Sequence, residues 1–226
     1  LQKFTNTELR IHRNALTMTP KDSFSRDSEP FDAYFVSNGF MHVPRWYGLQ
    51  HWGPAGKDCT STGVKTKAEF TGTLRQLQVE ATGAVIKECN RGHFPAGGML
   101  VLGCGQGKTV CGVAIACELK VRTLVLVHKN FLLAQWAERI QQYSTATVGY
   151  IQQNNVQTDA DIVIGMLQSI AMRDYPNNIF SQFGAVIFDE AHHLSAPVFA
   201  KAVTKIPSRY VLALSATPQR KDGLRK

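Results

Sequence analysis

The sequence predicts an α/β fold, a parallel sheet flanked by helices, preceded by a small α+β N-terminal module. Three observations carry this expectation. From Leu74 onward, short runs that are apolar throughout alternate with segments whose apolar residues recur at helical spacing. One such run, Met99 to Leu102, ends in a glycine-rich turn, Gly103-Cys104-Gly105-Gln106-Gly107, which opens into an apolar stretch of helical length. Residues 1–70 differ, with Thr, Ser, Asp and Pro clusters and short extended pieces such as Tyr34-Phe35-Val36 and Met41-His42-Val43.

Taken in order, Leu74 to Cys89 places Leu74, Leu77, Ala81, Ala84 and Val85 at helical spacing. Met99–Leu102 reads as a strand and Thr109–Leu119 as an apolar helix. Thr123–Val127 is a near-continuous apolar strand. Phe131–Tyr143 is a helix with Leu132, Leu133, Trp136 and Ile140 on one side. Thr147–Ile151 and Asp161–Ile164 are short strands, the second followed by a helix near Leu167–Met172. Ala185–Phe188 is a strand, Val198–Val203 a helix and Tyr210–Leu214 a last strand. Domains are expected at 1–70 and 71–226. Sheets of this kind place their sites at the carboxyl ends of the strands.

Composition narrows the class. The chain has 226 residues, 44% hydrophobic and 19% charged, which suits a folded domain with a small appendage. No apolar run reaches the ~20 residues of a membrane span. The segment LQKFTNTELRIHR carries no apolar signal core, so an intracellular setting without membrane contact is expected. The five cysteines, at 59, 89, 104, 111 and 117, form no CxxC pair, and reduced thiols are expected. The net charge of +8 favours a polyanionic partner, although Arg220, Lys221, Arg225 and Lys226 near the end read equally as a solvated tail.

Three polar motifs follow apolar strands. In the first, glycines let backbone amides approach phosphate oxygens, Lys108 reaches the β and γ phosphates and the Thr109 hydroxyl holds Mg²⁺. The plain alternative is a glycine turn between strand and helix. Leu102 stands where this loop usually begins with Gly or Ala. In the second, Asp189-Glu190-Ala191-His192, one acid serves Mg²⁺ and the next activates water; a helix N-cap would explain only the first. His192 and His193 are adjacent and lack a third ligand at zinc spacing. The third is Ser215-Ala216-Thr217-Pro218, whose hydroxyls can bond to the acidic motif. Gly53-Pro54-Ala55-Gly56-Lys57-Asp58 imitates a phosphate loop without the following Ser or Thr, and reads as a surface turn. Trp46, Tyr47, His51 and Trp52 beside Arg45 read as aromatics packing this module onto its neighbour, ahead of a base-stacking surface.

Together GCGQGKT, DEAH and SAT, in this order, resemble the first RecA-like motor lobe of superfamily 2 DEAH-type helicases. The XPB group of DNA-repair and transcription helicases, with its large DNA virus and phage members, is the most similar. Leu74-Arg75-Gln76-Leu77-Gln78 resembles the LRPYQ segment, with Gln76 in place of Pro. Val125-Leu126-Val127-His128-Lys129, with Gln135-Trp136, and Asp161 to Ser169 resemble strand-contacting motifs, and Ala216 to Leu224 the run around motif III. The resemblance implies ATP and Mg²⁺ as cofactors and DNA as partner. It implies nucleotide contacts from Arg75, Gln78, Gly103, Cys104, Gly105, Gln106, Gly107, Lys108 and Thr109. Thr109 and Asp189 would serve the metal, with Lys108, Asp189 and Glu190 catalytic. His192, Ser215 and Thr217 would couple nucleotide state to the strand-contacting residues His128, Lys129, Gln168 and Ser169. The family closes two lobes around ATP, so this chain is expected to bind nucleotide and hydrolyse it slowly, with a second RecA-like lobe as partner. A non-catalytic nucleic-acid-binding module and an RNA helicase are the alternatives.

Overall fold

The computed structural model describes residues 4–18, 30–92, 95–176, 178–191 and 196–217. By contacts the chain divides into two units, which part between Asp58 and Cys59.

The first unit begins with α1 (Asn6–Leu16), whose start is fixed by a capping box: the Glu8 N–H donates to the Thr5 hydroxyl, and the Thr5 N–H donates to the Glu8 carboxylate at 2.7 Å. β1 (Thr17–Met18) pairs antiparallel with β2 (Phe31–Asp32), and β3 (Phe35–Ser37) with β4 (Phe40–His42). Asn38 and Gly39, both at positive φ, turn the second pair, as a two-residue hairpin requires. α2 (Arg45–Trp52) follows Pro44. The expected strands are present, and two helices join them. Tyr47, His51 and Trp52 pack with Phe4 and with His12 of α1, His12 Nδ1 lying 2.8 Å from the Tyr47 hydroxyl. These rings pack on one another within their own unit, half-buried apart from the exposed His51. Trp46 stays 49% exposed. Gly53 to Asp58 is an irregular turn, exposed from Pro54 onward.

The second unit holds α3 (Gln76–Cys89), β5 (Ala96–Val101), α4 (Lys108–Leu119), β6 (Thr123–Val127), α5 (Asn130–Tyr143), β7 (Val148–Gln152), β8 (Asn155–Val156), β9 (Ile162–Met166), α6 (Leu167–Met172), α7 (Asn178–Ser181), β10 (Ala185–Phe188), α8 (Ala196–Lys205) and β11 (Tyr210–Ser215). A seven-stranded sheet runs β5-β11-β10-β6-β9-β7-β8, parallel except for the short β8. Bridges from Ser61 to Ser208, Lys65 to Val121 and Phe70 to Ser144 fasten the segment before α3 onto this unit, so residues 59–70 go with the sheet and not with the first module.

Strand alternation divides the core between the two faces. Val125 and Val127 of β6 join Cys111, Ile115, Trp136 and Ile140 on one side, while Leu124 and Leu126 join Ile170, Phe180, Phe183 and Phe188 on the other. Covering both faces is what makes TLVLV apolar after its first residue. β5 starts three residues before the expected Met99, since Gly97 and Gly98 hide its beginning from a propensity reading. All five cysteines are free; burial pushes the Cys89 and Cys117 thiols up to about 11. Among the described residues no helix is long and apolar enough to cross a membrane.

Candidate nucleotide site

The loop from Gly103 to Gly107 leaves the carboxyl end of β5 and enters α4 directly. Leu102 extends the β5–β11 ladder by one bond, its N–H donating to the Ser215 carbonyl at 3.1 Å, and its side chain is buried in the core. The loop thus tolerates leucine at its first place because that side chain points into packing, away from the turn. Gly103 N–H donates to the Gln106 side-chain oxygen at 2.7 Å, so this amide takes an oxygen acceptor inside the loop. Gly107 sits in the left-handed region (φ 84°), and a Cβ there would come within 2.3 Å of Gln78 Nε2. Gln78 is buried and ties α3 to the loop: its Nε2 donates to the Gln106 carbonyl at 2.8 Å, and its Oε1 accepts from the Arg75 N–H at 2.9 Å. Arg75 itself flanks Gly107. Cys104 is exposed on the loop, and Thr109 is half-buried in the first turn of α4.

The acids come from β10, with β11 lying between it and β5. Asp189 prolongs the β10–β6 ladder through its N–H to the Leu126 carbonyl at 2.9 Å. The residue is 3% exposed, its carboxylate accepting from Trp136 Nε1 at 2.7 Å on one oxygen and from the Glu190 N–H at 3.0 Å on the other. Glu190 holds a positive φ of 47°, a strained place for a residue with a Cβ and a common one at functional sites. Its Oε1 lies 3.6 Å from Lys108 Nζ, which is itself buried. A cation from the phosphate loop and two acids from a different strand therefore meet at one end of the sheet. The donor set fits a magnesium-bound nucleotide: backbone N–H groups, a buried ammonium and a hydroxyl for phosphates and metal, and a buried carboxylate for a hydrated divalent cation.

Burial pushes the Asp189 carboxyl above its ordinary value; the Trp136 N–H pulls it back, Glu190 adds to the rise and Lys108 opposes it. Between the ordinary carboxylate pKa and this raised native value the folded state binds more protons than the unfolded one, so this group's contribution to stability falls as pH rises. Expressed as a difference, the thermal midpoint of the nucleotide-free wild type should rise relative to Asp189→Asn as pH is lowered through that window. Parallel midpoints at every pH would contradict the buried carboxylate.

The remaining predicted residues that the structure describes fall on the same end of the sheet. Ser215, fully buried at the end of β11, donates through its hydroxyl to the Thr217 carbonyl and accepts from the Thr217 N–H at 3.2 Å. His128 and Lys129 follow β6, and Gln168 and Ser169 open α6 after the adjacent β9. Gln168 Nε2 donates to the His128 carbonyl at 3.1 Å, linking the two segments. Ser169 accepts from the Gln153 N–H at 3.1 Å, and Lys129 Nζ lies 5.9 Å from the centre of the Phe131 ring. His192 and residues 218–224 lie outside the described residues. Sequence reasoning placed Trp136 on the core face of its helix and missed its bond to Asp189; the Gln135-Trp136 pair beside a strand-contacting motif was the available signal.

Comparison with known proteins agrees with this architecture. Residues 71–220 match the family described as the type III restriction enzyme res subunit. An inferred ATP-dependent RNA helicase of Acanthamoeba polyphaga mimivirus is 38% identical over 202 residues, covering 88% of this chain and 38% of that protein. A DNA 3'-5' translocase of Sulfurisphaera tokodaii is 34% identical over 160 residues, 71% of this chain and 33% of that protein. The chain thus spans about a third of the length of these relatives. The UvsW helicase of bacteriophage T4 superposes with a TM-score of 0.62 at 13% identity, over 96% of this chain and 88% of that one, which shows a shared fold. The chain belongs to the family of the type III restriction enzyme res subunit, and its sheet is the RecA-like lobe of the superfamily 2 helicases that its motifs resemble.

Proposed function

We propose that this chain is the ATP-binding lobe of a DNA helicase or translocase that turns nucleotide hydrolysis into movement along a strand. The observation that carries the proposal is the 3.6 Å approach of Lys108 to Glu190 across the intervening β11. Lys108 and the Gly103–Gly107 amides would hold the phosphates of ATP, with Arg75, Gln78, Cys104 and Gln106 around them. Thr109 and Asp189 would hold Mg²⁺, and that ion would offset charge on the phosphates when bound. Glu190 would orient and deprotonate water. Ser215 and Thr217, with His192, would report nucleotide state. His128, Lys129, Gln168 and Ser169 would grip the phosphate backbone without reading sequence. A second RecA-like lobe of the same protein would close on this one.

An RNA substrate is the second reading, favoured by the name of the mimivirus relative, as DNA is by that of the Sulfurisphaera one. A non-catalytic nucleic-acid-binding module is the third reading, and of its motives the Leu102 one falls away, since that side chain packs into the core and leaves the loop intact. Steady-state ATP turnover by a protein carrying both lobes, with single-stranded DNA, duplex DNA or RNA added, tests all three. DNA stimulation supports the proposal, RNA-selective stimulation moves the substrate to RNA, and no turnover with any strand overturns the motor.

A further inference from the structure

Trp136 makes a contact that neither the family motifs nor core packing requires. Its indole is 1% exposed, and Nε1 donates at 2.7 Å to Asp189, which is itself 3% exposed. With the Glu190 N–H on the other oxygen, both carboxylate oxygens have a donor, which fixes the plane of the group. The far edge of the ring is held as closely. It lies against Gly112 of α4, where a Cβ would come within 2.7 Å of Trp136 Cη2 and 3.2 Å of Leu214 Cδ1. Gly112 stands one helical turn after Lys108, on the same face of α4. The indole is therefore clamped at one edge by the helix that carries the phosphate-binding lysine, and bonded through its N–H to the acid that would serve the metal. A buried indole N–H needs some acceptor, and any carbonyl would satisfy it; here the acceptor is a buried carboxylate with one assigned task.

We propose that Trp136 is a positioning residue for the Asp189 carboxylate, setting its orientation toward a divalent cation, as donors behind metal ligands commonly do. This rests on the nucleotide-binding reading of the same site. Trp136 touches neither phosphate nor metal in this scheme. Its effect belongs to the metal-dependent part of binding and to no other part.

The test is nucleotide affinity measured with EDTA and across a Mg²⁺ titration, for wild type, for Trp136→Phe and for the chain carrying benzothienylalanine at 136. The last puts sulfur in place of the N–H and keeps the volume of the ring, so it separates the lost bond from lost packing. In both substituted proteins the Mg²⁺ requirement should rise about 10- to 100-fold, while affinity in EDTA stays within about twofold. In an Asp189→Asn background the same substitutions should add nothing, since the coupled partner is gone. An equal loss of affinity with and without Mg²⁺, or an unchanged Mg²⁺ requirement for benzothienylalanine, overturns the assignment. A wild type whose nucleotide affinity ignores Mg²⁺ also overturns it, because Asp189 then serves no metal; a wild type that binds no nucleotide with or without Mg²⁺ shows instead that the nucleotide reading itself has failed.

Discussion

Lys108→Ala should lower the affinity for magnesium-bound ATP by about a hundredfold or more, from the loss of about 3 kcal/mol of charge-assisted bonding. Two effects add. The substitution removes the buried ammonium that lies beside Glu190, and it leaves Asp189 and Glu190 to repel incoming phosphates. Because the Lys108 side chain is only 9% exposed, water replaces little of what is lost. The decoy supplies the control. Lys57→Ala, in the exposed Gly53–Asp58 turn, should leave nucleotide affinity where it was. Equilibrium binding of a fluorescent ATP analogue to the 226-residue chain reads both. Affinity for Lys108→Ala equal to that of the parent would end the phosphate-loop assignment.

Glu190→Gln should separate binding from chemistry. Glutamine keeps the length of the side chain and an oxygen that can face Lys108, so affinity should hold within about threefold. It cannot take a proton from water, and turnover in a protein carrying both lobes should fall by about 10²- to 10⁴-fold. Removing one acid also eases the crowding of charge around Asp189, whose carboxyl Glu190 helps to push upward. Turnover near the wild-type rate would move the general base to another residue.

How much of this was legible depended on which physical signal each residue carries. β6 and β10 announce themselves because strands covered on both faces have no polar side to show, and TLVLV and AVIF are buried at every position. β5 was half-hidden by its two glycines. α1 escaped notice although Thr5 and Glu8 stand at capping-box spacing, since its few apolar residues are diluted among polar and charged ones. In the site, the motifs could be read but their meeting could not: the placing of β11 between β5 and β10 is a fact of topology, invisible to local pattern. Trp136 shows the same limit. Helical spacing reports that a side chain is inside, and says nothing about where its one polar hydrogen points. The positive φ of Glu190 was beyond prediction, because glutamate is not among the residues that favour that region.

The seat of β11 has a mechanical outcome. It is hydrogen-bonded along its length to the strand bearing the phosphate loop on one side and to the strand bearing the acids on the other. Drawing those two groups together, or prising them apart, would mean shearing two ladders at once. The sheet is thus an anvil: it presents its groups at a set separation, and in the motor proposed above the stroke would be delivered from the open rim.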